Sequence, residues 1–158
     1  MYHQKILVPY DNSEHAKSAL RTAKELALDH DDTMVCVLNV VPPNIVPTLA
    51  DSDPLTGSTS AYINYENYEG AFKDSIQAIR DEMMENIGDT LDGLPEDRVI
   101  YDIVSHPSPV HGITEYAENA KCDLIVMGRR GLGAFRGLLG SVSHGVLRSV
   151  DIPVMTVK

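Results

Sequence analysis

The sequence predicts an α/β fold: a doubly wound, five-stranded parallel sheet with helices on both faces. Two observations predict it. Short apolar runs alternate along the chain with segments of helical period, the pattern of strand–helix–strand units. The apolar runs also lack a polar side; Met34 to Val41 is apolar nearly throughout. Strands of that kind are covered on both faces, as parallel strands are. Right-handed crossovers restrict the topology, and the strand order expected is 3-2-1-4-5. That order puts a switch point between strands 1 and 4, and ligands of such sheets bind at the carboxyl ends of the strands beside it.

Ile6-Leu7-Val8-Pro9 reads as the first buried strand. Asp11, Asn12 and Ser13 follow, and each is able to cap a helix. Ala16, Ala19, Leu20, Ala23, Leu26 and Ala27 then recur at helical spacing as one apolar stripe. Met34 to Val41 is the second strand. From Pro42 to Asn64 the chain changes character, with Pro43, Pro47 and Pro54 as breakers and Gly57, Ser58 and Ser60 as turn residues. A long loop at about residues 42–66 is expected there. Phe72, Ile76, Ile79, Met83, Ile87 and Leu91 mark a second amphipathic helix, ended by Gly93. Arg98 to Val104 reads as the third strand. Ser108 and Pro109 make a helix start, serine as cap and proline in the first turn, and Val110, Ile113, Ala117 and Ala120 give that helix its buried face. Leu124 to Met127 is the fourth strand, stopped by Gly128. A glycine-rich stretch leads to a last helix carrying Leu139, Val142, Val146 and Val150 on one face. Pro153 to Val157 closes the series as the fifth strand. No internal repeat interrupts the pattern, and residues 1–158 read as one domain.

Composition excludes several function classes. The formal net charge is −10, which repels nucleic-acid backbones and anionic membranes, so neither is an expected partner. A phosphate-bearing ligand must then be held locally, by backbone amides and nearby arginines. Cys36 and Cys122 lie in apolar runs and read as buried thiols; two cysteines offer no zinc spacing. His106 and His111 are close in sequence, but no carboxylate or third histidine is seen at ligand spacing, and no metal site is expected. Met1 to Lys5 does not open a signal peptide, and no apolar run reaches the ~18 residues of a membrane span. A cytoplasmic protein is expected.

Two clusters fall at the crevice. The first is Val8-Pro9-Tyr10-Asp11, at the end of strand 1. The second runs from Gly128 to Ser143. Its glycines let backbone amides approach phosphate oxygens. Gly140 and Ser141 stand at a helix start, where free amides and the helix dipole favour an anion. Ser141 and Ser143 add hydroxyls, and Arg129 and Arg130 lie where they screen a polyphosphate. Asp11 read alone is a helix cap before it is a ribose ligand. Its placement beside the second cluster is what makes it a candidate to accept from ribose hydroxyls. No Walker or nucleophile-elbow pattern occurs.

At these residues the chain resembles the universal stress protein family. Gly128-Arg129-Arg130-Gly131, followed by Gly140-Ser141-Val142-Ser143, is similar to that family's phosphate-binding signature. The opening Ile-Leu-Val-Pro-Tyr-Asp-Asn-Ser, the strand end Asn39-Val40-Val41, Cys122 to Gly128, and Ile152-Pro153-Val154 resemble its other strand ends. The resemblance spans the chain except for the region from Pro42 to Tyr68. It implies a Rossmann-like ATP site, with ATP accompanied by Mg2+. On that resemblance, Pro9, Asp11 and Val40 hold adenine and ribose, and Met127 and Gly128 line the ribose side; Tyr10, between Pro9 and Asp11, is counted with the binding residues. Gly131, Gly140, Ser141, Val142 and Ser143 take the phosphate end, with Arg130 beside them in the loop. Eight residues separate Gly131 from Gly140 here, where the family signature has nine. The missing residue is expected to shift the amides of Gly140 and Ser141 relative to Gly131. Pro107 stands where the family often has glycine, and proline supplies neither a positive φ nor an amide donor.

The expected function is therefore ATP binding with a regulatory or stress-response role, and no general base is evident that would make hydrolysis the purpose. Two alternatives stand beside it. One is a dimeric scaffold of the same fold that has lost its nucleotide, which the short loop would favour. The other is an adenylating or ATP-pyrophosphatase enzyme; such enzymes carry a glycine-serine phosphate loop after strand 1, and Tyr10-Asp11-Asn12-Ser13 holds no glycine. The fifth strand should be a sheet edge, and a homodimer paired through it is expected, both from its unprotected backbone and from the resemblance.

Overall fold

The computed structural model describes residues 3–44, 65–130 and 139–158. Five strands make one parallel sheet: β1 (Lys5–Pro9), β2 (Met34–Val41), β3 (Val99–Ser105), β4 (Leu124–Gly128) and β5 (Val154–Val157). Among the described residues four α-helices connect them: α1 (Glu14–Leu28), α2 (Tyr65–Ile87), α3 (Pro109–Asn119) and α4 (Ser141–Ser149). The order across the sheet is β3-β2-β1-β4-β5, as the sequence predicts. The register runs Lys5↔Met34 to Pro9↔Leu38 between β1 and β2, and Ile6↔Leu124 with Leu7↔Ile125 between β1 and β4. Because β1 has β2 on one side and β4 on the other, the chain reverses direction across the sheet at β1.

Alternation of side chains divides the core into two layers. Ile6, Val8, Val35, Val37, Leu124 and Val126 point to one face, where they meet Ala16, Ala19, Leu20 and Ala23 of α1 and Met83 and Ile87 of α2. Leu7, Cys36, Leu38, Ile125 and Met127 point to the other, against Ile113 and Ala117 of α3 and Val146 of α4. Every residue of β4 is buried, which is why its sequence shows no polar side. Alanines dominate the α1 stripe, and small side chains let a helix lie close on a sheet. Each fully buried residue such as Leu20 contributes roughly 1.5–3 kcal/mol through burial of its side chain.

Two boundaries differ from the sequence reading. The second helix ends at Ile87 rather than near Gly93, because Gly88 turns with φ +51° and Gly88–Leu91 forms a 3-10 turn. Leu91 keeps its buried place from within that turn. The third strand starts at Val99, since Glu96–Arg98 is another short 3-10 turn. Arg98 is drawn there by backbone oxygens: its guanidinium donates to the carbonyls of Ala27, His30 and Thr33, closing the end of α1. The expected loop before α2 is described only as far as residue 44.

Candidate functional site

The turn from β1 into α1 sets one wall of the site. Tyr10 extends the sheet by one residue, its N–H donating to the Leu38 carbonyl at 2.8 Å. Asn12 then takes φ +63°, a left-handed conformation that asparagine adopts more readily than most residues. Ser13 is the cap of α1: its Oγ accepts from the Ala16 N–H at 3.1 Å. Asp11 is therefore not the helix cap. Its Oδ1 accepts from the Ser13 N–H at 3.1 Å, which fixes the carboxylate, and the residue is exposed. Tyr10 is buried, and its hydroxyl donates to Asn86 Oδ1 of α2 at 2.6 Å. Burial, with Glu14 and then Asp11 adding negative charge nearby, pushes its pKa up to about 12.

The opposite wall comes from the end of β4 and the start of α4. Arg129 donates its N–H to the Val157 carbonyl at 2.7 Å, and Gly140 donates to the Arg129 carbonyl at 2.9 Å. Ser143 is buried and donates its hydroxyl to the Gly128 carbonyl at 2.8 Å. These bonds hold the first turn of α4 against β4. Gly131, relative to which the missing residue is expected to shift Gly140 and Ser141, lies outside the described residues. The amide of Gly140 is also engaged within the protein. The amides left for a ligand are those of the helix's first turn, Ser141, Val142 and Ser143.

α1 and α3 are capped by serine side chains, Ser13 and Ser108, but no side chain caps α4, whose cap position is Gly140. An uncapped helix start leaves amide donors and a partial positive charge facing outward. Here they face a cleft of about 450 Å³ at the carboxyl ends of β1, β2 and β4. Pro9, Tyr10, Asp11, Val40, Met127, Gly128, Arg130, Gly140, Ser141, Val142 and Ser143 all line it. The structure thus brings together every candidate that lies within the described residues except Arg129, which does not line the cleft. It adds Ala16, Leu38, Asn39, Pro109 and Ile113. Leu38 and Asn39 were within reach of the sequence as neighbours of Val40. Pro109 and Ile113 were not, because only the packing of α3 places its first turn over the cleft.

Two glycines have structural reasons of their own. A Cβ on Gly128 would lie 2.7 Å from His15 Cβ and 2.8 Å from the His15 carbonyl carbon, so α1 packs directly on the end of β4. A Cβ on Gly140 would lie 3.3 Å from Arg130 Cα. Behind the cleft, the turn before α3 is closed without glycine at Pro107: the Ser108 N–H donates to His106 Nδ1 at 2.9 Å. A carboxylate approaches His106 in space. Glu115 Oε2 lies 3.9 Å from His106 Nε2, because one helical turn past His111 brings Glu115 back over the β3–α3 turn. Among the described residues no group of three or more His, Cys, Asp or Glu side chains is placed to hold a metal ion.

The model of the universal stress protein family matches residues 2–158. A universal stress protein of Thermus aquaticus is 32% identical over 157 residues, covering 97% of each chain. The solved structure of protein MJ0577 of Methanocaldococcus jannaschii superposes with a TM-score of 0.72 at 28% identity, covering 100% of this chain and 97% of the other. Two further structures share the fold at 21% identity each. One is a universal stress protein in complex with cAMP, with a TM-score of 0.58, covering 100% of this chain and 98% of the other. The second, from Archaeoglobus fulgidus in complex with dAMP, has a TM-score of 0.55 and covers 100% of both chains. With a family match over nearly its whole length and the sheet order expected of it, this chain belongs to the universal stress protein family.

Proposed function

We propose that this chain is a single-domain, cytoplasmic ATP-binding protein with a regulatory role in the stress response. The observation that carries the reading is the uncapped start of α4, opening onto a cleft beside β1 and β4. A polyphosphate is the ligand such a helix start favours, and a chain of net charge −10 needs a local donor set of this kind. Asp11, with Oδ1 held by Ser13, offers its second oxygen to ribose hydroxyls. Val40, Leu38 and Met127 give the base an apolar slot. Gly131, Arg130 and the first turn of α4 take the phosphates. That two proteins of this fold were solved with cAMP and with dAMP is in keeping with an adenine nucleotide. Mg2+ would be held by the phosphate oxygens, since no cluster of protein ligands is in place among the described residues.

The same reading includes a homodimer through β5. That strand pairs with β4 alone among the described strands, and Met155 on it is exposed. The carbonyls of Pro153 and Val157 turn toward β4, so the backbone groups of Val154 and Thr156 face the open edge.

The test is mass spectrometry of ligand released from the purified, denatured protein, followed by calorimetry with ATP. Co-purified adenine nucleotide, or micromolar binding of added ATP, is expected. A protein that carries no nucleotide and gives no heat with ATP would leave the scaffold reading in its place.

A further inference from the structure

We propose that His106 is a proton-operated switch in the turn that sets the first turn of α3 over the cleft. Its Nδ1 lies 2.9 Å from the Ser108 amide nitrogen and 2.8 Å from the Ser108 carbonyl oxygen. One ring nitrogen thus faces a donor and an acceptor of the same residue. It serves one at a time: without a proton it accepts, and with a proton it donates.

The other ring nitrogen selects the neutral form. Nε2 lies 3.9 Å from Glu115 Oε2. A carboxylate there favours a proton on Nε2, and the neutral imidazole then has a bare Nδ1 that accepts from the Ser108 N–H. A second proton goes to Nδ1. The bond from the Ser108 N–H is lost, and Nδ1–H donates to the Ser108 carbonyl instead. That carbonyl already accepts the first helical bond of α3, from the Gly112 N–H at 2.9 Å. The new charge stands at the N-terminus of α3, where the helix dipole opposes it. Glu115 attracts it, but that side chain is 66% exposed and water screens the pair. The other groups around the ring do little to hold the charge. His111 meets it edge-on, with centroids 6.1 Å apart. The end of β2 brings Val40 and Val41, which are uncharged. On β3, Asp102 is engaged by the Tyr116 hydroxyl at 2.5 Å, and Arg80 of α2 donates to the Tyr101 carbonyl at 3.1 Å.

Contacts carry the change to the cleft. Ser108 caps α3, its Oγ accepting from the His111 N–H at 3.3 Å. Pro109 and Ile113 follow it and line the cleft. A Cβ on Gly112 would lie 2.8 Å from Val40 Cγ1 and 3.1 Å from His106 Cβ. The first turn of α3 therefore rests on His106 and on a cleft residue together. The His106 N–H donates to the Val41 carbonyl at 2.9 Å, so the ring's own backbone stays with the sheet while the cap moves. Protonation of His106 loosens Pro109 and Ile113 against Val40, and acidification weakens the hold on the ligand. That the ligand is ATP rests on the function proposed above.

The experiment follows the isotope-labelled full chain by NMR from about pH 8 to about pH 5, the range in which histidine changes charge. The His106 ring should be the Nε2–H tautomer at the upper end. On acidification the Ser108 amide should shift with the midpoint of the His106 ring, and the Ile113 and Val40 amides should follow. His106→Asn keeps an acceptor near the Nδ1 position but takes up no proton, so there the Ser108 amide should stay in place. His111→Asn should leave the response intact. Calorimetry with ATP at the two ends of the range should show a loss of affinity at least about threefold greater in wild type than in His106→Asn; the nucleotide's own protonation is common to both. An Nδ1–H tautomer at high pH, a Ser108 amide that does not follow the ring, or an equal loss of ATP affinity in the two proteins would overturn the proposal. A chain that binds no ATP at either pH would count against the nucleotide reading alone, and the Ile113 and Val40 amides would then decide the switch.

Discussion

The hydroxyl of Ser143 donates to the carbonyl of Gly128 over 2.8 Å, tying the first turn of α4 to the last residue of β4. Both groups are buried, so the bond orients the helix start and also satisfies an acceptor that water does not reach. Ser143→Ala should lower stability by about 1–2 kcal/mol, the cost of leaving that carbonyl unpaired, and should weaken ATP binding by loosening α4. Urea unfolding and calorimetry on the same variant measure the two effects.

Ser141 opens α4 and is exposed. A carboxylate at this position suits the helix dipole but repels phosphates. Ser141→Asp should leave stability unchanged or raise it by roughly 0.3–1 kcal/mol, while ATP affinity falls at least about a hundredfold, the equivalent of ~3 kcal/mol. Thermal unfolding without ligand, set beside a binding titration, separates these opposite signs. Equal ATP affinity in variant and wild type would place the phosphates elsewhere.

Asp11 is held by Ser13 but does not cap α1. Its loss should therefore disturb binding more than folding. Asp11→Ala should weaken ATP about tenfold, a loss of ~1.4 kcal/mol, and shift the unfolding midpoint little. The effect should shrink for 2′,3′-dideoxy-ATP, which lacks the hydroxyls Asp11 is read to accept from. Competition binding of the two nucleotides to both proteins decides it.

Tyr10 carries a pKa raised from 10.0 to about 12. The native state then holds a proton between pH 10 and 12 that the unfolded chain has released. Its contribution to stability is complete below pH 10 and is lost as pH rises toward 12. Tyr10→Phe also removes the bond to Asn86, so it should be less stable at pH 8. Its stability should nonetheless fall less steeply than that of wild type over the alkaline window. Denaturant titrations from pH 8 upward provide the comparison.

Thr156 faces the open edge of β5, so proline there removes an outward N–H without touching the ladder to β4. Thr156→Pro should shift a β5-paired dimer toward monomer by tenfold or more in dissociation constant, on the order of 1.4 kcal/mol, with the nucleotide cleft intact. Sedimentation equilibrium over micromolar concentrations gives the result. A wild-type monomer under those conditions would remove the dimer.

Much of this molecule was already legible in its sequence. Runs apolar on both sides, such as Leu124 to Met127, demand cover on both faces and so identify parallel strands. The alanine and leucine stripe of α1 and the Ser108-Pro109 start of α3 are local signals, written within one or two helical turns. They determined the sheet, its helices and the two strand ends that line the cleft. The family resemblance at Gly128 to Ser143 rested on the same short-range pattern.

Tertiary structure decided what depends on contacts between distant residues. Three neighbouring residues could each cap α1, and packing of the turn chose Ser13, leaving Asp11 for the cleft. Gly128 looked like a phosphate-loop glycine, yet it is also required by His15, which lies against it in space. The Gly140 amide looked available and is engaged by Arg129. Cys36 and Cys122 read as buried thiols, and the parallel order of β2, β1 and β4 places both in the core layer beneath α3. Hydrophobic period records which face of an element is buried. It carries no record of which partner lies across that face, and every one of these outcomes is set by the partner.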